Sequence, residues 1–169
     1  DGRLARRGGL PNTLMLDGVP CANNFDPLVP APSAAWMEAL EGMPPDRQAR
    51  LLRLMGVDRL AVRTGSAELA WLPLQGAERG RLIADAHWVR SANEALAVVT
   101  GSGFDPEASV VLEGQAPGPV GGGEAGGSIV FEKESAAGEV TARVTTQAGA
   151  WFVLSDVWYP GWSVRIDGR

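Results

Sequence analysis

The stretch WFVLSDVWYPGWSVRIDGR, residues 151–169, decides how this chain is read. Its first half is apolar on both faces, as an inner strand would be. A Tyr159-Pro160-Gly161-Trp162 corner interrupts the run, and Val164 to Ile166 resume it. Asp167-Gly168 is the strongest short signal for a tight hairpin turn, because both residues tolerate positive φ. Such a turn calls for a return strand, yet only Arg169 follows, so we expect a motif that is truncated. Strand, aromatic corner and resumed strand are one supersecondary unit on this reading. A strand ending at Ile166 without its partner is expected to fray after about Trp162, or to pair edge to edge with a neighbouring molecule.

Working outward, SIVFEKE (128–134) and EVTARVTTQ (139–147) are strand candidates joined by Ala/Gly turns. In the latter, Val140, Ala142, Val144 and Thr146 alternate with Glu139, Thr141, Arg143 and Thr145, so one face is covered and the other wet. Upstream, residues 114–127 hold seven Gly in fourteen positions and read as a flexible loop or linker. SVVLE (109–113) precedes it as a strand, and SANEALAVV (91–99) opens with a capping box, Ser91 capping and Glu94 reaching back. RLAVR (59–63), ELAWLPL (68–74) and RLIADAHWV (81–89) are three further strand candidates. The last is expected to be one half-buried strand, with Leu82, Ala84, Ala86 and Trp88 inward. A first helix is expected from a Ser33 cap to Glu41, with Trp36, Met37 and Leu40 on one face. A second starts at Pro44-Pro45-Asp46 and ends at Gly56; Leu51, Leu52, Leu54 and Met55 form its apolar side, and Arg47, Arg50 and Arg53 the other.

Helices dominate the first half and strands the second, which gives an α+β class with an antiparallel β-sandwich or jelly-roll-like C-terminal half. The expected organisation is an α+β subdomain over 1–113, the Gly-rich loop or linker over 114–127, and a β-sandwich portion over 128–169 packed with strands of the first part. The opening DGRLARRGGLPN reads as an arm, and residues 13–32 as mostly irregular with a short strand at Leu14 to Leu16.

At 169 residues and 45% hydrophobic the chain supports one domain with a real core, or two small ones. A net charge of −5 argues against nucleic acid, or an anionic membrane surface, as the main partner. Cys21 is the only Cys and His87 the only His, so internal disulfides, Cys-based metal sites and His-pair metal sites are excluded. No apolar run approaches the length of a membrane span and no signal peptide opens the sequence, so the piece itself is expected to be soluble.

Candidate chemistry is sparse. Gly121–Gly123 lack the Lys-Ser/Thr and the following helix of a phosphate loop. His87 with Asp85 two residues away on one strand face has no nucleophile to serve, and a surface pair is the simpler reading. Ser155-Asp156 without a placed His is not a hydrolase signature. Turn formation explains Asp17, Asp26 and Asp105, and Cys21 reads as a structural thiol. We expect no catalytic residue, metal or cofactor. The aromatic group Trp151, Trp158, Tyr159 and Trp162 has two readings. Exposed rings at Trp158, Tyr159 and Trp162 would stack on sugars; alternatively the rings pack around the Pro160-Gly161 corner, which the crowding at a sharp turn favours. Trp36, Trp71 and Trp88 fall at regular apolar positions and are expected in the core.

VLSDVWYPGWSVRIDGR resembles the C-terminal signature of bacterial YfhO-type multispanning membrane proteins, whose tails carry an LVLSD-x-YYPGW-x-x-x-VDG segment followed by further strands. The likeness continues in order upstream: PNTLMLDGVPCANNFDPLVP is similar to the segment before GYDPL, LLRLMGVDRLAV to LLGVRYLV, and SANEALAVVTGSGFDPEASVVLE to EEAL…FDP…VVLE. It departs at Asn24-Phe25, which replace Gly-Tyr, at Trp158, which replaces Tyr, and in the strands after Asp-Gly. The resemblance implies an extracytoplasmic domain, on the outer face of the bacterial cell membrane, of a lipid-linked-sugar glycosyltransferase of the multispanning GT-C type. The family's catalytic carboxylate lies near its first membrane spans and has no counterpart in this chain. The implied partners are the membrane-embedded remainder of the parent and an envelope glycan. The resemblance therefore leads to a non-catalytic domain that positions a glycan, or alternatively to a structural or protein-interaction domain with no ligand.

Overall fold

The computed structural model describes residues 31–65, 68–76, 78–116, 125–134, 138–158 and 160–169. The expectations for residues 1–30, including Leu14 to Leu16 and Cys21, and for Gly121–Gly123, lie outside the described residues.

Two helices open the described chain. Helix α1 (Ala31–Glu41) begins two residues before the expected Ser33 cap. Pro32 suits a first helical turn, where a missing N–H forfeits no helical bond. Helix α2 (Pro45–Leu54) starts at the Pro pair, with Pro44 at the cap, and carries Asp46 in its first turn and Arg53 in its last, both favourable to the helix dipole. Gly56, at φ 72°, ends it as its sequence position requires. Leu40, Leu51 and Leu52 are buried between these helices, and Trp36, Met37, Met43, Leu54, Met55, Val57, Leu60, Leu74 and Val99 pack around them. The Trp36 indole N–H points at the Met55 sulfur, 3.0 Å away.

Strands β1 (Arg59–Thr64) and β2 (Glu68–Pro73) form an antiparallel hairpin in full register. The segment expected to be one strand divides at Ala84 into β3 (Gly80–Ile83) and β4 (Asp85–Val89). The break shifts the face parity. Ile83, assigned to the wet face by simple alternation, is only 4% exposed, while Trp88 and Ala86 keep the inward assignment. After β4 comes helix α3 (Ala92–Thr100) and strand β5 (Ser109–Glu113), and β5 pairs with β4 in parallel. That βαβ unit was not anticipated; a parallel pair requires a crossover, which α3 supplies. The capping box is formed: Ser91 Oγ accepts from Glu94 N at 3.3 Å, and the Glu94 carboxylate accepts from Arg90 N at 2.7 Å.

Strands β6 (Gly127–Glu134) and β7 (Val140–Thr146) make a second antiparallel hairpin with a bulge at Glu132. Strand β8 (Trp151–Leu154) pairs antiparallel with β3 and with no other described strand, and Phe152 is 40% exposed. The inner-strand expectation for residues 151–154 is thus corrected, because β8 has a covered side and a free edge. Small residues let the layers meet. A Cβ at Gly127 would stand 2.2 Å from the Thr145 carbonyl oxygen and 2.7 Å from Leu82 Cδ1, and one at Gly80 would stand 2.9 Å from both Phe131 and Phe152 rings.

The three arginines of α2 were expected on a face away from the core, and they in fact dock the α3–β5 connection. The Arg47 guanidinium donates to the Gly101 carbonyl, Arg50 pairs with Asp105 at 2.9 Å, and Arg53 pairs with Glu107 at 3.4 Å while donating to the Gln75 carbonyl. From β3, Arg81 donates to the Pro106 carbonyl at 3.0 Å. The class is α+β, built from three helices and four two-stranded pairings among the described residues.

Leu51→Ala should lower the unfolding free energy by roughly 3 kcal/mol, read from urea midpoints, because its side chain is fully enclosed. Gly127→Ala should cost about 1–3 kcal/mol, since the Thr145 carbonyl cannot give way. Gly103→Ala, with nothing within 4 Å, is the control and should leave the midpoint unchanged.

Candidate functional site

The corner after β8 begins from a firmly held point. Ser155 N donates to the Arg79 carbonyl at 2.7 Å and Ser155 Oγ to the Glu78 carbonyl at 3.2 Å. Asp156 pairs with Arg79 at 3.0 Å, and the Arg79 guanidinium also lies 5.7 Å from the centre of the Phe131 ring. Ser155 and Asp156 are therefore occupied in tethering the strand end to the β2–β3 connection. Past Asp156 the chain turns outward. Val157 and Trp158 are 61% and 72% exposed, Gly161 takes φ 116°, and Trp162 is half-buried.

The aromatic group of the sequence is thus split. Trp151 packs edge-to-face on Trp88 at 5.6 Å, as satellite core. Trp158 stands in solvent, so packing around the corner, the favoured reading of this ring, does not hold for it. Tyr159 lies outside the described residues. Trp71 is also corrected: expected in the core, it is 46% exposed, because β1 and β2 pair only with each other among the described strands. Trp36 is half-buried against the core cluster as expected, and Trp88, also half-buried, packs on Trp151.

Farther along, Val164 and Ile166 are 82% and 72% exposed and belong to no described strand. The expected Asp-Gly turn is nonetheless formed. Asp167 and Gly168 take φ 51° and 79°, and Ile166 and Arg169 exchange reciprocal backbone hydrogen bonds of 3.0 and 3.1 Å. Those are the dihedrals and the closing pair of a two-residue hairpin turn.

The other candidate groups find structural employment. His87 is exposed and sits edge-on to Phe104 at 6.4 Å. Asp105 accepts from Glu107 N at 3.0 Å, a turn bond of the kind its sequence context anticipates. Burial lowers the Arg81 pKa, and the charges of Glu78 and Glu107 work against that shift. An open depression lined by Leu82, Ile83, Ala84, Asp85, Glu107, Ala108 and Ala125 contains none of the corner residues. Among the described residues no group of three His, Cys, Asp or Glu is placed to hold a metal ion, and no helix is long and apolar enough to cross a membrane.

Two features escaped the sequence analysis. The arginine docking had a signal, the i, i+3 repeat at Arg47, Arg50 and Arg53, but nothing in it pointed to the α3–β5 loop. The exposure of Val157 had none, since the same residue suits a buried strand, whereas Val164 and Ile166 lie in no described strand, in line with the expectation that the strand gives way after about Trp162. No family model, no curated protein and no solved structure matches the chain.

Trp158→Ala should change stability by less than about 0.5 kcal/mol, the range of a surface substitution. Trp151→Ala, which removes the contact with Trp88, should cost about 2 kcal/mol or more. Thermal melts of the two variants side by side check whether the rings divide into surface and core.

Proposed function

We propose that this chain is a non-catalytic extracytoplasmic domain of a membrane protein of the YfhO-like kind, and that it positions an envelope glycan beside a membrane-embedded glycosyltransferase core. The observation that supports this reading is the exposed Trp158 ring, held just beyond the tethered Ser155-Asp156 pair. A large aromatic face in water, on a chain anchored two residues away, suits stacking against the C–H face of a sugar ring. Tyr159 and Trp162 complete the proposed contact. The ordered resemblance along the sequence is what supports the proposed parent and location. The finer architecture belongs to the same proposal: the β3–β8 pair and the β6–β7 hairpin, which meet through Gly80 and Gly127, are read as portions of an antiparallel sandwich of the jelly-roll kind.

A second reading, a purely structural domain that docks on the parent and binds no ligand, is favoured by one observation. Val157, Val164 and Ile166 are aliphatic and exposed, and aliphatic side chains offer no stacking face for a sugar.

The test is saturation-transfer NMR of the chain against a panel of envelope glycans and short polyprenyl-linked sugars. Transfer that disappears in Trp158→Ala and Trp162→Ala, with circular dichroism unchanged, is the result expected for glycan positioning. Silence across a chemically broad panel would reject it in favour of the docking reading.

A further inference from the structure

Three of the four methionines, Met37, Met43 and Met55, lie half-buried around Leu40, Leu51 and Leu52, the enclosed centre of the two helices. A thioether is oxidisable where an aliphatic side chain is not, and its sulfoxide is polar. Most places beside a core cannot receive that oxygen, because a buried acceptor without a donor is costly. Met55 is placed differently. Its backbone is fixed at the end of α2, where Met55 N and Val57 N both donate to the Leu52 carbonyl, at 3.0 and 3.2 Å, and Gly56 N donates to the Arg53 carbonyl at 2.9 Å. With Gly56 at φ 72°, this is the left-handed closure that satisfies the last carbonyls of a helix. The closure leaves the Met55 side chain against α1, and there the Trp36 indole N–H donates to its sulfur at 3.0 Å. Sulfur is a weak acceptor, so a full donor stands against a group that uses little of its capacity. Met37 and Met43 face the same leucines with no such donor among the described residues.

We propose that Met55 is an oxidation site that the fold accommodates, its sulfoxide oxygen taking the Trp36 indole N–H in place of the sulfur. The reagent class is a hydroperoxide. A sulfur lone pair attacks the terminal peroxide oxygen and the O–O bond breaks. The proton on the transferred oxygen passes to the departing one, which leaves as water or an alcohol, so sulfur is oxidised as the peroxide is reduced. Half exposure at the helix end gives the peroxide access. The unbranched side chain, free about its rotatable bonds, lets the S–O group turn toward the indole without moving the helix. Sulfoxide reductases restore the thioether, which places the modification on the reversible part of the oxidation ladder. Helix α2 also carries Arg47, Arg50 and Arg53, so an end that stays closed keeps the α3–β5 loop docked through oxidation. This site goes beyond the glycan reading and does not depend on it.

The experiment treats the chain with hydrogen peroxide until singly oxidised forms predominate, then applies a short pulse of protease in urea near the unfolding midpoint. Peptide mapping of the surviving fraction reads which sulfoxides the fold tolerates. Met55 sulfoxide should be enriched there over Met37 and Met43 sulfoxide by on the order of threefold to tenfold, the population ratio that one hydrogen bond sets. Trp36→Phe, which keeps a ring and removes the N–H, should abolish the enrichment. In the native chain the Trp36 indole proton resonance should move downfield on oxidation, as a stronger acceptor replaces sulfur. Equal survival of the three sulfoxides, or enrichment that persists in Trp36→Phe, overturns the proposal. So does an indole proton that fails to move downfield, or a Met55 peptide that stays reduced while free methionine is consumed. If Trp36→Phe does not fold, the indole shift in the native chain decides.

Discussion

The fold depends on how the backbone of Gly80–Val89 satisfies its hydrogen bonds. Up to Ile83 the chain pairs with β8; beyond Ala84 it pairs with β5. One ten-residue run thereby joins the strand nearest the C-terminal corner to the βαβ unit. The change of partner at Ala84 also explains the burial of Ile83, which a straight strand would have turned outward. Gly80, at the start of the run, is where the Phe131 and Phe152 rings close over the chain, and Leu82 is where β6 comes into contact through Gly127. Three of the four two-stranded sheets, β3–β8, β4–β5 and β6–β7, thus meet along one shared run.

On the opposite side the helices supply the hydrophobic centre. Few side chains are fully enclosed: Leu40, Leu51, Leu52, Ile83 and Val89 are the buried hydrophobics among the described residues. A core that thin leaves much of the tertiary organisation to polar contacts, and the arginine set on α2 and β3 carries that part. Exposed ion pairs contribute at most about 1 kcal/mol each. What the set provides is position, since Arg47 and Arg81 reach into partly buried surroundings to hold the α3–β5 loop against the helices.

Much of this was legible in the residues, and for identifiable reasons. Pro44-Pro45, Gly56 and the Ser91/Glu94 box encode helix ends through backbone chemistry that needs no tertiary context, and α2 and α3 lie where those signals put them. SVVLE is β5 to the residue, and Asp167-Gly168 forms its turn. The failures share one cause: they concern what lies next to an element rather than the element itself. Alternation in residues 81–89 does not reveal a change of partner at Ala84, and WFVL reads identically whether one edge or both edges are paired. Trp71 and Trp158 fall in patterns that serve core and surface equally. At the corner, packing logic placed Trp158 against the turn, and the ring stands in solvent instead.

The arginine docking of the α3–β5 loop has an evolutionary side. Arg47, Arg53 and Arg81 donate to the carbonyls of Gly101, Gln75 and Pro106, groups that every amino acid carries. Substitution at those three acceptor positions leaves the acceptor atoms in place wherever the backbone path is kept; at Gly101 that path admits little else, since a Cβ there would stand 3.1 Å from the Ala97 and Val98 carbonyl oxygens. The donors have no such latitude. A side chain too short to span the gap, or with no N–H to donate, loses its carbonyl outright, so each contact constrains the side chain of one partner and only the backbone of the other.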